Sequence, residues 1–220
     1  MERRPEPELM LAEEQARAYA EADFEEPHNR FVELFQETFP DQDAQGYVLD
    51  LGCGPADVSL RFARAYPRCI VHGVDGSKTM LNFGNRAIRK QQLEDRVQLF
   101  QSYLPTKSLP LDKYDAVMSN SLLHHLRDPQ ALWETIKQFA GGDALVFVMD
   151  LMRPTGETQA KELTETYAQG EPEILQRDFY NSLLAAYRPD EIESQLEKAR
   201  LAHFSVRVIS DRHLIVHGRT

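Results

Sequence analysis

The chain has 220 residues, 42% of them hydrophobic and 27% charged, which suits one globular domain with a substantial core. Acidic residues outnumber basic ones by 35 to 25, a formal net charge of -10, and this argues against a nucleic-acid partner, because phosphate contacts need clustered Lys and Arg. Met1 to Glu14 lacks the apolar run of a signal peptide, no segment is long and uncharged enough to span a bilayer, and Cys53 and Cys69 fit neither a zinc spacing nor a disulfide framework. A soluble, cytoplasmic protein with reduced thiols, no bound metal and no membrane partner is expected.

In chain order, the first element is a helical lead-in over roughly Glu8 to Phe39, broken near Pro27 and ended near Pro40. Strands are predicted at Tyr47 to Leu51, Cys69 to Asp75, Val97 to Gln101, Tyr114 to Ser119 and Ala144 to Leu151, with helices between them. Such alternation implies an α/β fold with a parallel sheet covered on both faces. Glu157 to Arg200 is polar and helical in period, interrupted at Pro172 and Pro189. The chain closes with "HFSVRVISDRHLIVHGR", two strands joined by a tight turn. Neither repeat nor long linker is present, so one domain is the simplest division.

The chemistry concentrates at "VLDLGCGPADVSL". Gly52 and Gly54 allow a sharp turn and a close approach to a ligand, and the helix starting near Ala56 offers unpaired N–H groups above it. Asp75, at the end of the second strand, suits two hydrogen bonds to the hydroxyl pair of a ribose. A dinucleotide site would want a third glycine where Asp57 and Val58 stand, and Asp57 would repel a pyrophosphate. Asp50, ending the first strand, favours instead a ligand with an ammonium group.

These residues, with "VHGVDGSKTML" and "YDAVMSNSLLHHLRDPQALWETI", resemble the class I S-adenosylmethionine-dependent methyltransferases over about Tyr47 to Arg153. The resemblance implies a Rossmann-like, mostly parallel sheet of seven strands with the last antiparallel, the terminal hairpin from His203 to Gly218 supplying the final two. It divides a single methyltransferase domain into a helical lid (1–43), a cofactor-binding core (44–153), a helical insertion (154–200) and the hairpin (201–220). It also implies that S-adenosyl-L-methionine is held by Asp50 and the Gly52, Cys53, Gly54 and Ala56 turn at its methionine part. Asp75 with Gly76 and Ser77 would take the ribose, Met80 would pack near the adenine, and Asn120, Ser121 and His125 would line the pocket. Ala56 stands where many members keep glycine. The acid often found after the third strand is missing from "LFQSYLP", which leaves Gln101 or Ser102 to meet the adenine amino group.

Methyl transfer asks mainly for in-line positioning and a dry site. His124 is the candidate base, should the acceptor have to lose a proton. The strand end Asn120-Ser121-Leu122-Leu123 lacks the prolines and aromatic of base-amino methylation, and neither cysteine suits cytosine-carbon methylation, so a small-molecule acceptor is expected. Its recognition would come from Tyr19 and His28 in the lead-in, from Arg177, Tyr180 and Asn181 in the insertion, and from Arg212 and His213 in the hairpin turn. Transfer of a modified group from an altered cofactor, and a regulatory module that binds the cofactor without turnover, are the alternatives.

Overall fold

The computed structural model describes residues 1–6, 13–40 and 44–220. The start of the expected lead-in, 8–12, lies outside them. Eight helices and seven strands follow in the described part: α1 (Glu13–Glu21), α2 (Glu25–Thr38), β1 (Gly46–Leu51), α3 (Asp57–Ala65), β2 (Cys69–Asp75), α4 (Lys78–Lys90), β3 (Val97–Gln101), β4 (Tyr114–Asn120), α5 (Gln130–Phe139), β5 (Ala140–Leu151), α6 (Glu157–Tyr167), α7 (Glu173–Ala185), α8 (Pro189–Ala199), β6 (Ser205–Val208) and β7 (His213–Arg219). A single 3-10 turn, Leu123–His125, follows β4.

The strands form one sheet in the order β3-β2-β1-β4-β5-β7-β6. β1 to β5 are mutually parallel, and β7 runs antiparallel to both β5 and β6. The first hairpin strand therefore shares the direction of the parallel five, which carries the turn between β6 and β7 to the edge where those strands end. Strand order reverses at β1 and β4, and the crevice beyond their C-terminal ends is where open α/β sheets hold ligands.

Period-two alternation divides the core. Leu49, Leu51, Val117, Val146, Val148 and Leu214 pack on one face with Trp133 and Ile136 of α5 and Ile192 and Leu196 of α8. Val48, Met118, Phe147, Met149 and Ile215 face the other way, onto Phe31 and Phe35 of α2 and Leu60 and Phe62 of α3. The ring of Phe31 meets Phe147 edge-on at 5.1 Å, and Phe35 meets Phe62 at 4.9 Å. Much of the lead-in is thus core, and only its N-terminal end is left to reach over the sheet edge.

Two boundaries differ from expectation. The break in the lead-in falls at 22–24, and Pro27 sits in the first turn of α2, where a missing N–H costs nothing. β5 starts at Ala140 rather than Ala144, because an irregularity in its pairing with β4 sets residues 141–144 opposite Asp115 alone, between the pairs Tyr114–Ala140 and Ala116–Leu145.

Candidate active site

The turn after β1 is built from backbone geometry that only its sequence permits. Gly52 and Gly54 have φ of +74° and +51°. An added Cβ would come within 2.8 Å of Leu122 at Gly52, and would point into open space at Gly54. The Gly52 and Cys53 N–H groups donate to the Val74 carbonyl at 2.8 and 3.0 Å, tying the turn to β2. The Gly54 N–H donates to Asp75 Oδ2 at 2.9 Å and the Ser77 N–H to Oδ1 at 2.7 Å. Each oxygen of Asp75 keeps lone-pair capacity for a further donor. Burial raises its carboxyl pKa against the pull of those N–H groups.

Asp50 is 1% exposed and accepts from the Ser59 hydroxyl. Burial, with Asp75 adding to it, pushes its pKa up to about 7 although Ser59 opposes the shift. A cationic ligand group would restore its charge. Cys53 beside it is buried, which lifts its thiol well above the ordinary range and leaves it a packing residue, not a nucleophile.

The turn opens into one cavity of about 790 Å³, a size that suits small-molecule sites. Of the residues singled out in the sequence, Asp50, Gly52, Cys53, Gly54, Asp75, Gly76, Ser77, Met80, Ser102, Asn120, Ser121, His124, His125, Tyr19, His28, Arg212 and His213 line it. Ser77 caps α4, its hydroxyl accepting from the Met80 N–H at 3.3 Å. Ser121 has a φ of +55°, a strained conformation for a non-glycine residue at a site edge.

Five others stand elsewhere. Ala56 is fully buried with φ +66° and shapes the start of α3 without bordering the cavity. Gln101 turns aside to donate to the Gly76 carbonyl at 3.0 Å, so Ser102 is the residue of that pair on the cavity wall. Arg177, Tyr180 and Asn181 lie on the far side of α7, which presents Leu175, Asp178, Phe179 and Ser182 instead. Spacings of three, four and seven residues make those four one helical stripe, a signal present in the sequence and outweighed by the appeal of polar residues on the opposite face.

Tyr19 and Phe24 stack at 4.7 Å, and Phe24 and His28 at 5.2 Å, so that the α1–α2 junction forms one wall. Burial, then the nearby Asp57, Asp75 and Asp150, push the Tyr19 pKa to about 12. Asp57, read as a repellent of phosphate, is shared between His28 Nδ1 and Arg61 Nε, each at 2.7 Å. These partners hold its pKa low despite burial. Opposite, the Arg212 guanidinium lies 3.3 Å over the Tyr167 ring, and burial with Arg212 lowers the His213 pKa to about 4.

Beyond the strand ends, Asp150 anchors the histidine turn. Its carboxylate accepts from the Leu123 N–H at 2.7 Å and meets His124 Nδ1 at 2.6 Å. Burial opposes both charges, yet the pairing prevails, raising the His124 pKa and lowering that of Asp150. Glu6 and Arg3 reach the same turn from the far end of the chain, and nothing in their sequence signals it. Arg3 donates to the carbonyls of His124, Leu126 and Ala185 and lies 4.0 Å over Tyr187, while Glu6 lies against His124 and His125.

A seven-stranded, doubly wound sheet with a glycine turn and a buried acid at its switch point defines an α/β class that binds its ligands in the crevice beyond the strand ends. Residues 48–141 match the family described as "Methyltransferase domain". (S)-coclaurine N-methyltransferase of Thalictrum flavum subsp. glaucum is 30% identical over 124 residues, 56% of this chain and 34% of that protein. (S)-tetrahydroprotoberberine N-methyltransferase of Eschscholzia californica is 25% identical over 186 residues, 84% of this chain and 48% of that protein. The chain therefore spans between a third and a half of these two relatives. Among solved structures, a SAM dependent methyltransferase from Aquifex aeolicus superposes with a TM-score of 0.69 at 17% identity, covering 96% of this chain and 99% of that one. The plantazolicin methyltransferase BpumL, in complex with SAH and a triazolic desmethylPZN analog, gives 0.66 at 14% identity, covering 94% and 84%. Over residues 48–141 the chain thus matches a methyltransferase domain, and its fold is shared with the SAM dependent methyltransferase on which it superposes.

Proposed function

We propose that this chain transfers the methyl group of S-adenosylmethionine to a nitrogen of a small-molecule amine. The observation that carries the cofactor is the Asp75 carboxylate, fixed by one backbone donor on each oxygen beside a glycine whose missing Cβ leaves the cavity open. Asp75 would take the ribose hydroxyls, Asp50 the ammonium group, and Met80 the adenine face. Bound there, S-adenosylmethionine supplies an electrophilic methyl: the N–C bond forms as the S–C bond breaks, sulfur becomes a neutral thioether, and nitrogen takes the positive charge. The chain's part is to hold the acceptor nitrogen in line and keep water out.

The acceptor class rests on charge. Away from the glycine turn and the end of β2, the described residues lining the cavity include Asp23, Glu25, Glu26, Glu171 and Asp178 against the single guanidinium of Arg212. Such a wall favours an amine, and favours more strongly the cation that methylation leaves on it. The relatives named as N-methyltransferases agree with this reading. The test is release of S-adenosylhomocysteine on adding panels of matched amines, phenols and carboxylates. Release with amines alone is expected. Release only with the others would reassign the attacking atom, and tight S-adenosylhomocysteine binding with no turnover on any panel would make the chain a binding module.

A further inference from the structure

We propose that Glu6, His124 and His125 form a binding site for a divalent transition-metal ion of the zinc class, set in the wall of the cavity. One ligand atom from each of Glu6, His124 and His125 lies within 4.8 Å of the other two. Glu6 Oε1 is 3.6 Å from the first nitrogen and 3.2 Å from the second. Metal bonds of about 2.1 Å at the tetrahedral angle set neighbouring donors about 3.4 Å apart, and the two distances straddle that value.

The surroundings are those of a ligand set. Asp150 occupies Nδ1 of His124 at 2.6 Å, which fixes the tautomer whose Nε2 lone pair faces Glu6. A carboxylate behind a ligating imidazole is the usual support of such sites, orienting the ring and raising its basicity. The Ser182 hydroxyl donates to Glu6 Oε1 at 2.8 Å, orienting that carboxylate in turn. The three side chains are only 3%, 15% and 11% exposed for His124, His125 and Glu6, so water does little to disperse the charges of Glu6 and Asp150. Arg3 stands nearby, yet its N–H groups are directed at the carbonyls of His124, Leu126 and Ala185.

Two imidazoles and one carboxylate select borderline ions such as Zn²⁺ or Co²⁺ over Mg²⁺ and Ca²⁺, which take oxygen sets. His124 and His125 both border the cavity, which leaves a fourth position for water or for a donor atom of the acceptor. The sequence led to an expectation of no metal because the third ligand stands more than a hundred residues from the histidine pair and is joined to it only by the fold. Arg4, whose N–H donates to the Leu184 carbonyl at 3.0 Å, helps keep Glu6 in place.

The test uses the full chain, free of any affinity tag and stripped with a chelator. It is titrated with Co²⁺, followed by visible absorption, and with Zn²⁺ in competition with a chromogenic chelator. One equivalent should bind, and Glu6→Gln and His125→Ala, each checked for folding by circular dichroism, should lower Zn²⁺ affinity at least tenfold. Absence of saturable binding, or an affinity that both variants leave unchanged, would overturn the site and identify the cluster as a His124 imidazolium held between Asp150 and Glu6. S-adenosylhomocysteine binding by the metal-free protein is measured separately and bears on the methyl-transfer reading alone.

Discussion

At Asp50 the chain keeps a carboxyl group that its own packing penalises. The folded pKa of about 7 stands above the ordinary 3.8, so between about pH 4 and 7 the native state holds a proton that the unfolded chain has lost. Stability from this group therefore falls as pH rises through that window. Asp50→Asn should make the protein more stable than wild type at pH 8, by on the order of 2–4 kcal/mol, with little difference at pH 4, as read by urea melts at both pH values. An ammonium ligand would draw the carboxylate back to its charged form, so binding S-adenosylhomocysteine at pH 6 should release a fraction of about one proton. Titration calorimetry in buffers of different ionisation enthalpy measures this, and Asp50→Asn should abolish it. Asp75 behaves differently, because two backbone N–H groups already depend on it. Asp75→Asn keeps one acceptor oxygen and should weaken S-adenosylhomocysteine by on the order of 2–4 kcal/mol in a folded protein, whereas Asp75→Ala should cost stability as well. Unchanged affinity in Asp75→Asn would place the ribose elsewhere.

Two segments meet over the sheet edge, and each is held there by something other than its own helix or strand. Met1 to Glu6 is fastened by Arg3, whose forked donors meet three carbonyls while its plane covers Tyr187. Arg3→Ala should lower stability by about 2 kcal/mol, and Arg3→Lys should recover little of it, because a point charge cannot reproduce the fork. Thermal or urea melts of the two variants compare them directly. The turn between β6 and β7 comes to the cavity because β6 is parallel to β5, a matter of sheet topology. Its Arg212 is packed against Tyr167 of α6, joining the hairpin to the helical segment. Replacing Arg212 and His213 together by Ala should leave S-adenosylhomocysteine affinity within about a factor of two and lower turnover about tenfold, the loss expected of an acceptor-positioning contact.

For the molecule as a whole, the glycine turn, the carboxylates of Asp50 and Asp75 and the acid-rich cavity favour a cationic nucleoside over an anionic dinucleotide. S-adenosylhomocysteine should raise the melting temperature and NADH should not, since a ligand stabilises only the state that binds it. Stabilisation by NADH alone would contradict the cofactor assignment. Among the described residues no helix is long and apolar enough to cross a membrane, in keeping with a core shared between two sheet faces.

What the amino-acid sequence determined by itself is the local and periodic part of this protein. The strand ends at Asp75 and Gln101, the glycine turn and the helical stripes follow from steric limits and from alternation of apolar residues, both of which act within a few positions along the chain. The acids at the ends of β1 and β2 were legible for the same reason, since each stands at a strand terminus beside a turn. The tertiary structure decided which side of α7 faces the cavity, that α2 gives most of its length to the core, and that Arg3 and Glu6 reach His124. Those outcomes depend on how elements far apart in sequence share a buried face. Contacts between such elements are chosen by the packing of the assembled sheet, whose energy is spread over many residues and leaves no mark on any one of them.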